Sequence, residues 1–190
     1  QDINNGILKL TLDDDENKNA LSELMMKELI DAFSKASLDS SIRVIIIAAT
    51  GNVFCSGHNL KEITNARKNE DLGKSYYINL FNLCSSLMQL IVNCSKPVIA
   101  EVNGVATAAG CQLVASCDLA ISSNSSMFAT PGVNLGLFCS TPMVALSRNI
   151  SKKHSMEMLL TGDLIDALTA KEYGLINRVV PYRDLNDTVL

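Results

Sequence analysis

Two short apolar runs constrain this chain more than any other feature. Residues 43–49 (RVIIIAA) are β-branched and nearly all apolar, and residues 98–102 (VIAEV), opened by Pro97, repeat the pattern. Each ends in a turn, Thr50-Gly51 in the first case and Asn103-Gly104 in the second. A short run with no polar alternation is a buried strand of the kind found in parallel sheets. Between the two runs, Tyr77, Leu80, Phe81, Cys84, Leu87, Met88 and Ile91 recur at helical spacing. Ahead of them, Ile7, Leu8, Leu10 and Leu12 alternate with Lys9 and Thr11, which predicts a first strand. Ser22 then caps a helix whose apolar positions are Met25, Leu29, Ala32, Phe33 and Ala36. Strand, helix, strand, helix, strand is the order of an α/β layer fold with right-handed crossovers. Farther on, Ser151 reads as a helix cap, Gly162 and Gly174 as helix stops, and Val179-Val180-Pro181 as the end of a short strand.

Length and charge exclude several classes. The chain has 190 residues, enough for one domain with a continuous core. Its net charge of −4 argues against a broad nucleic-acid footprint. No uninterrupted apolar run approaches the roughly 20 residues of a membrane span. The chain opens on the polar Gln1-Asp2-Ile3-Asn4-Asn5 with no signal-peptide pattern, which says little about location. Its six cysteines, Cys55, Cys84, Cys94, Cys111, Cys117 and Cys139, include no C-x-x-C pair and read as free thiols. The two histidines, His58 and His154, are not spaced with them as zinc ligands.

Chemistry is expected in two loops that follow the buried strands, where α/β sheets place their ligands. The first spans residues 52–61 and the second residues 103–111, and each mixes glycine with small side chains before a helix start. Backbone N–H groups at such starts can receive a negative oxygen, and two turns facing one cavity would make an oxyanion hole. Over residues 102–147 the only charged residue is Asp118, so this stretch holds almost no acid or base. Tight internal packing accounts for most of its small residues, and Asp118 reads as structural.

These loops, in this order, resemble the crotonase (enoyl-CoA hydratase/isomerase) superfamily. Residues 53–62 match the family's F-C-x-G-x-D-L-K-E pattern, and residues 102–118 match V-N-G-x-A-x-G-G-G-x-x-L-x-x-x-C-D. Asn19-Ala20-Leu21 matches its N-A-L, while Leu160-Thr161-Gly162 and residues 174–181 match its closing segments. The resemblance implies a crotonase-like α/β spiral of β-β-α turns over residues 1–190, binding acyl-CoA as substrate or ligand and needing no separate cofactor or metal. It implies that the thioester carbonyl is polarised by the N–H groups of His58 and Ala109. Lys18, Ala20, His58, Asn59, Leu60 and Lys61 are then expected to line the CoA channel, with Lys18 and Lys61 the candidates for its phosphates, and Ala109, Gly132 and Ser140 are expected to contact the substrate as well. It also implies a mitochondrial role in fatty-acid metabolism. A further helical region that builds a homotrimer, or a dimer of trimers, is expected beyond Leu190, so residues 1–190 read as a core incomplete at its C-terminus.

The departures from the family bear on activity. A hydratase works with two glutamates as acid and base on one water. Their positions hold Gln112 and Gly132, and the position of an isomerase carboxylate holds Ser140. Gln112 can orient a water but cannot exchange its proton near neutral pH. Returning both glutamates is expected to restore some hydration if the cavity is otherwise intact. Asn59 replaces the usual aspartate, which leaves His58 without that anionic neighbour. Three readings follow: an acyl-CoA-binding protein without hydratase activity, an active decarboxylase or thioesterase using His58 or a bound water, or a non-catalytic regulatory or scaffold protein. None of the cysteines has a basic partner nearby in sequence, so thiolate chemistry is not expected. His154, beside Lys152 and Lys153, is given no role.

Overall fold

The computed structural model describes residues 1–190. β1 (Asp2–Asn4) and β2 (Ile7–Leu12) form an antiparallel hairpin through Asn5 and Gly6, both at positive φ. Ser22 caps α1 (Glu23–Leu38) by accepting the Met25 N–H at 3.1 Å. The helix buries Met26, Leu29, Ala32, Phe33 and Ala36. The spacing predicts Met25 on that face, but Met26 is the residue that points inward and Met25 is only half-buried. β3 (Val44–Ala49) is the first apolar run, and a second, shorter strand, β4 (Val53–Cys55), follows it directly. α2 (Leu60–Ala66) and the long α3 (Lys74–Val92) complete that unit.

The unit then repeats. β5 (Val98–Val102) and β6 (Val105–Thr107) lead into α4 (Ala109–Ser116). β7 (Leu119–Ser123) and β8 (Met127–Ala129) lead through a 3-10 turn, Pro131–Leu135, into α5 (Ser140–Asn149). α6 (Lys152–Thr161) is capped by Ser151 and stopped by Gly162, and after β9 (Ile165–Asp166) α7 (Ala167–Tyr173) is stopped by Gly174. β10 (Arg178–Val180) and α8 (Leu185–Val189) close the chain.

Each β-β-α unit gives its first strand to one sheet and its second to another. The large sheet has the order β1-β2-β3-β5-β7-β10 and is parallel from β2 onward. The small sheet has the order β4-β6-β8-β9. The large sheet is covered on both faces, which is why its central strands are apolar throughout. Ile45, Ile47, Val98, Ala100 and Val102 face the main core with α1 and α3, while Ile46 and Ile121 meet Leu185 and Val189 of α8. On that second face, Glu101 is almost fully buried. Its charge is met by Lys9 Nζ at 2.7 Å, which also donates to Asn186 Oδ1 on α8 at 2.9 Å.

Candidate functional site

The small sheet brings the site together. Residues 52–61 and 103–111 are not plain loops, because each contains a three-residue strand. β4 and β6 pair in parallel with Val53 opposite Val105 and Cys55 opposite Ala106. The turns after them, Ser56-Gly57-His58 and Ala108-Ala109, therefore emerge side by side. The fit is close. A Cβ on Gly57 would lie 2.9 Å from Ala108 Cβ and 3.3 Å from the Ala109 nitrogen, and Gly57 itself sits at φ 96°. Thr107 Oγ1 ties the turns together by donating to Ser56 O at 3.1 Å.

Both turns present an unpaired amide. Ala109 is the first residue of α4, where N–H groups have no carbonyl within the helix. It is aimed by Ala108, which holds φ 51° and ψ −120° and is pinned by its own N–H on Ala129 O at 2.9 Å. Such a conformation costs a non-glycine residue about 1–3 kcal/mol and persists only where the surroundings enforce it. The His58 N–H donates to no protein acceptor, although its neighbours are fixed by Leu21 N–H on Gly57 O at 2.8 Å and Ser56 N–H on Lys18 O at 3.2 Å. Two free N–H groups on adjoining turns can hold one partly negative oxygen.

Beside these turns is a cleft of about 280 Å³, and Lys18, Ala20, His58, Asn59, Leu60 and Lys61 all line it. Between Lys18 and Ala20, Asn19 is fully buried and anchors the segment: its side chain donates to Thr50 O and Val53 O and accepts from the Asp14 N–H. Asn59 does not point at a ligand; it caps α2 by accepting the Lys61 and Glu62 N–H groups. Lys61 Nζ donates to Asn17 Oδ1 at 3.1 Å, and Lys18 Nζ lies 3.8 Å from Asp15 Oδ1, both largely in solvent.

His58 points its ring inward. Nδ1 is 3.5 Å from Leu21 O, the ring stands edge-on to Phe81 with centroids 5.7 Å apart, and Nε2 is buried without a partner. Burial pushes its pKa below the usual 6.5, and the Leu21 carbonyl and Glu62 carboxylate pull it back only in part. The anionic neighbour missing at Asn59 is thus supplied by Glu62. The imidazole is neutral at pH 7 and is a poor proton donor. The unfolded chain takes up the proton first as pH falls below 6.5, so this residue's contribution to stability is complete above that value and lost below it. Stability measured by urea unfolding should fall between pH 6.5 and pH 5 more steeply in the parent than in His58→Gln; identical profiles would show that the ring is not buried neutral.

None of the positions of the family carboxylates holds an acid or a base. Gln112 lies on α4, 7% exposed, with Oε1 buried and unpartnered. Gly132 and Ser140 line neither the cleft beside His58 nor the cavity that Gln112 faces. Ser140 opens α5 at the surface. A Cβ on Gly132 would fall 2.6 Å from Leu137 O and 2.7 Å from Cys139 Sγ. The expectation that returning both glutamates restores hydration is therefore corrected, since the segment Leu137–Cys139 already fills the space a side chain at 132 requires.

Asp118 is structural: its Oδ2 accepts the Val98 N–H at 2.8 Å and its own N–H donates to Val98 O. Burial pushes the Cys55 and Cys111 thiols up to about 12 and Cys84 to about 11, so they are thiols rather than thiolates. No group of three metal-ligating side chains exists, and no helix is long and apolar enough to cross a membrane. His154 stacks on Tyr173 with ring centroids 3.8 Å apart, away from the cleft. Sequence reasoning missed Phe81 and Glu62. Phe81 shares the helical spacing of the buried residues of α3 but is 45% exposed against His58, and Glu62, the last position of the first loop's motif, carries no sign there that it faces the histidine.

A fold of stacked β-β-α units with two unpaired amides on adjoining turns defines a class, and comparison with known proteins agrees. The family model described as enoyl-CoA hydratase/isomerase matches residues 2–190, and the chain belongs to that crotonase family. Among curated proteins, it is 52% identical over 180 residues to enoyl-CoA hydratase domain-containing protein 3, mitochondrial, of Xenopus laevis, covering 95% of this chain and 60% of that one. The human protein of the same name is 48% identical over 185 residues, covering 97% and 59%. The chain thus spans about 60% of the length of these relatives. The crystal structure of the human protein superposes with a TM-score of 0.93 at 47% identity, covering 99% of this chain and 72% of that one. An enoyl-CoA hydratase structure from Mycobacterium smegmatis gives 0.93 at 46% identity, covering 100% and 72%.

Proposed function

We propose that this chain binds acyl-CoA thioesters, with the carbonyl oxygen between the N–H groups of His58 and Ala109, and that it is not a working enoyl-CoA hydratase. The observation that carries the reading is the pair of unpaired amides on turns locked together by Gly57 and by the strained Ala108. Strain of that kind is retained where a site requires it. Lys18 and Lys61 line the adjoining cleft, and their positive charge supports a role in holding the CoA phosphates. Hydration is absent from the reading because Gln112 and Gly132 replace both carboxylates. The word mitochondrial in the relatives' names supports a mitochondrial location. Decarboxylation through His58 is disfavoured, because a neutral imidazole whose Nδ1 faces Leu21 O has no ready proton to give.

Ala109→Pro tests the reading. Proline is tolerated at the first helical position and replaces the otherwise free N–H with a ring carbon, so the donor is lost without breaking a helix hydrogen bond. Calorimetric titration should show an enolate-like analogue weakened by about tenfold or more, and a plain acyl-CoA by less. Equal losses for both ligands, or a parent protein that binds no CoA thioester, would contradict it.

A further inference from the structure

The half-buried carboxylate of Glu62 takes part in none of the chain's ion pairs. Its Oε2 instead accepts hydrogen bonds from two other helices, the Glu23 N–H of α1 at 3.2 Å and the Tyr76 hydroxyl of α3 at 3.1 Å. Glu23 is the first residue of α1, where the N–H has no carbonyl within the helix and the helix dipole favours negative charge. Ser22 takes the Met25 N–H of the same turn, so Glu62 supplies a second cap from outside the helix. Burial and the bond to Glu62 raise the pKa of Tyr76, so its hydroxyl keeps its proton and donates at neutral pH.

These contacts enclose His58. Residues 21–23 hold residues 57–62 at both ends: Leu21 N–H donates to Gly57 O at 2.8 Å ahead of His58, and Glu23 N–H donates to Glu62 beyond it. Between those two bonds Leu21 and His58 lie opposite each other in a parallel bridge. Asn59 transmits the hold, because its side chain accepts the Lys61 and Glu62 N–H groups and ties the residue after His58 to the first turn of α2. On α3, the Tyr77 hydroxyl donates to Ile63 O at 3.1 Å beside the Tyr76 bond. Phe81, four residues beyond Tyr77 on the same helix face, stands edge-on to the His58 ring. The peptide carrying the His58 N–H is thus fixed from α1 and α3, as Ala108 is fixed from β8. An amide aimed at developing charge loses effect steeply when it drifts; about 1 Å of misplacement can cost on the order of 100-fold.

We propose that Glu62 is a positioning residue of the thioester site, holding the His58 N–H in line with that of Ala109; the assignment rests on the reading above. Glu62 acts through its two accepted hydrogen bonds, so glutamine can replace it and alanine cannot. The experiment is calorimetric titration with butyryl-CoA and acetoacetyl-CoA. The enolate of the second puts negative charge on oxygen, and its near-ultraviolet band reports how much of the bound ligand is in that form. Glu62→Ala should weaken acetoacetyl-CoA about tenfold and remove most of the enolate band, while butyryl-CoA stays within about threefold. Glu62→Gln keeps an acceptor oxygen and should bring both ligands within about twofold of the parent. Tyr76→Phe removes one of the two bonds and should weaken acetoacetyl-CoA about threefold, which decides the matter if the alanine variant does not fold. Unchanged acetoacetyl-CoA binding in the folded variants, equal losses for both ligands, or no rescue by glutamine would overturn the role of Glu62 while leaving thioester binding standing. A parent protein that binds neither thioester would overturn it together with the reading beneath it.

Discussion

Crotonyl-CoA mixed with the pure protein should be hydrated on the order of 10⁴-fold more slowly than by a family member carrying both glutamates. Each general acid or base contributes about 10²–10⁴-fold, and here both positions are uncharged. Gln112 has an amide that neither takes nor gives a proton near pH 7. Gly132 has no side chain, and the structure explains why a substitution alone does not return one. Leu137 N–H donates to Gly132 O at 2.9 Å and Gly136 N–H to Val133 O at 3.0 Å, which folds the segment back over the glycine. The first atom of any side chain at 132 would then collide with the Leu137 carbonyl, which is backbone and cannot swing aside. Gln112→Glu with Gly132→Glu should therefore stay inactive and lose stability. Loss of absorbance at the enoyl thioester band measures the rate. Family-typical turnover by the parent, or recovery in the double variant at unchanged stability, would show that the site is not closed to this chemistry.

Gly110→Ala should destabilise the protein by about 3 kcal/mol and abolish thioester binding. Gly110 is the second residue of α4, and its Cα rests against β4. A Cβ there would be 2.1 Å from Cys55 O, 2.7 Å from the Cys55 carbonyl carbon and 2.8 Å from Cys55 Cβ. Two of those atoms belong to the main chain of a strand paired with β6, so relief requires α4 to lift off the small sheet. Lifting α4 moves the Ala109 N–H away from His58, so stability and binding should fail together. Urea unfolding at constant m-value reads the first effect and titration with acyl-CoA the second. A change within about 0.5 kcal/mol would mean that the helix does not pack as closely as described.

Part of this protein was legible without coordinates. The central strands were, because a parallel strand covered on both faces must be apolar at every position. Residues 43–49 and 98–102 could be little else. The helix ends at Ser22, Ser151, Gly162 and Gly174 were also readable, since caps and left-handed stops are local chemistry. So was the scarcity of acids and bases over residues 102–147, which hold a single carboxylate, Asp118. The tertiary structure decided the rest. Strands of three residues, β4 and β6, carry too little periodicity to stand out, yet their parallel pairing is what sets the two free amides side by side. Whether Phe81 faced the core or His58 depended on how α3 sits over α4, which its own spacing does not fix. The burial that neutralises His58, and the carbonyl of Leu137 over Gly132, come from segments distant or folded back in space. Sequence records which groups are present, but the close approach of two backbones, which governs this site, exists only once the sheets are stacked.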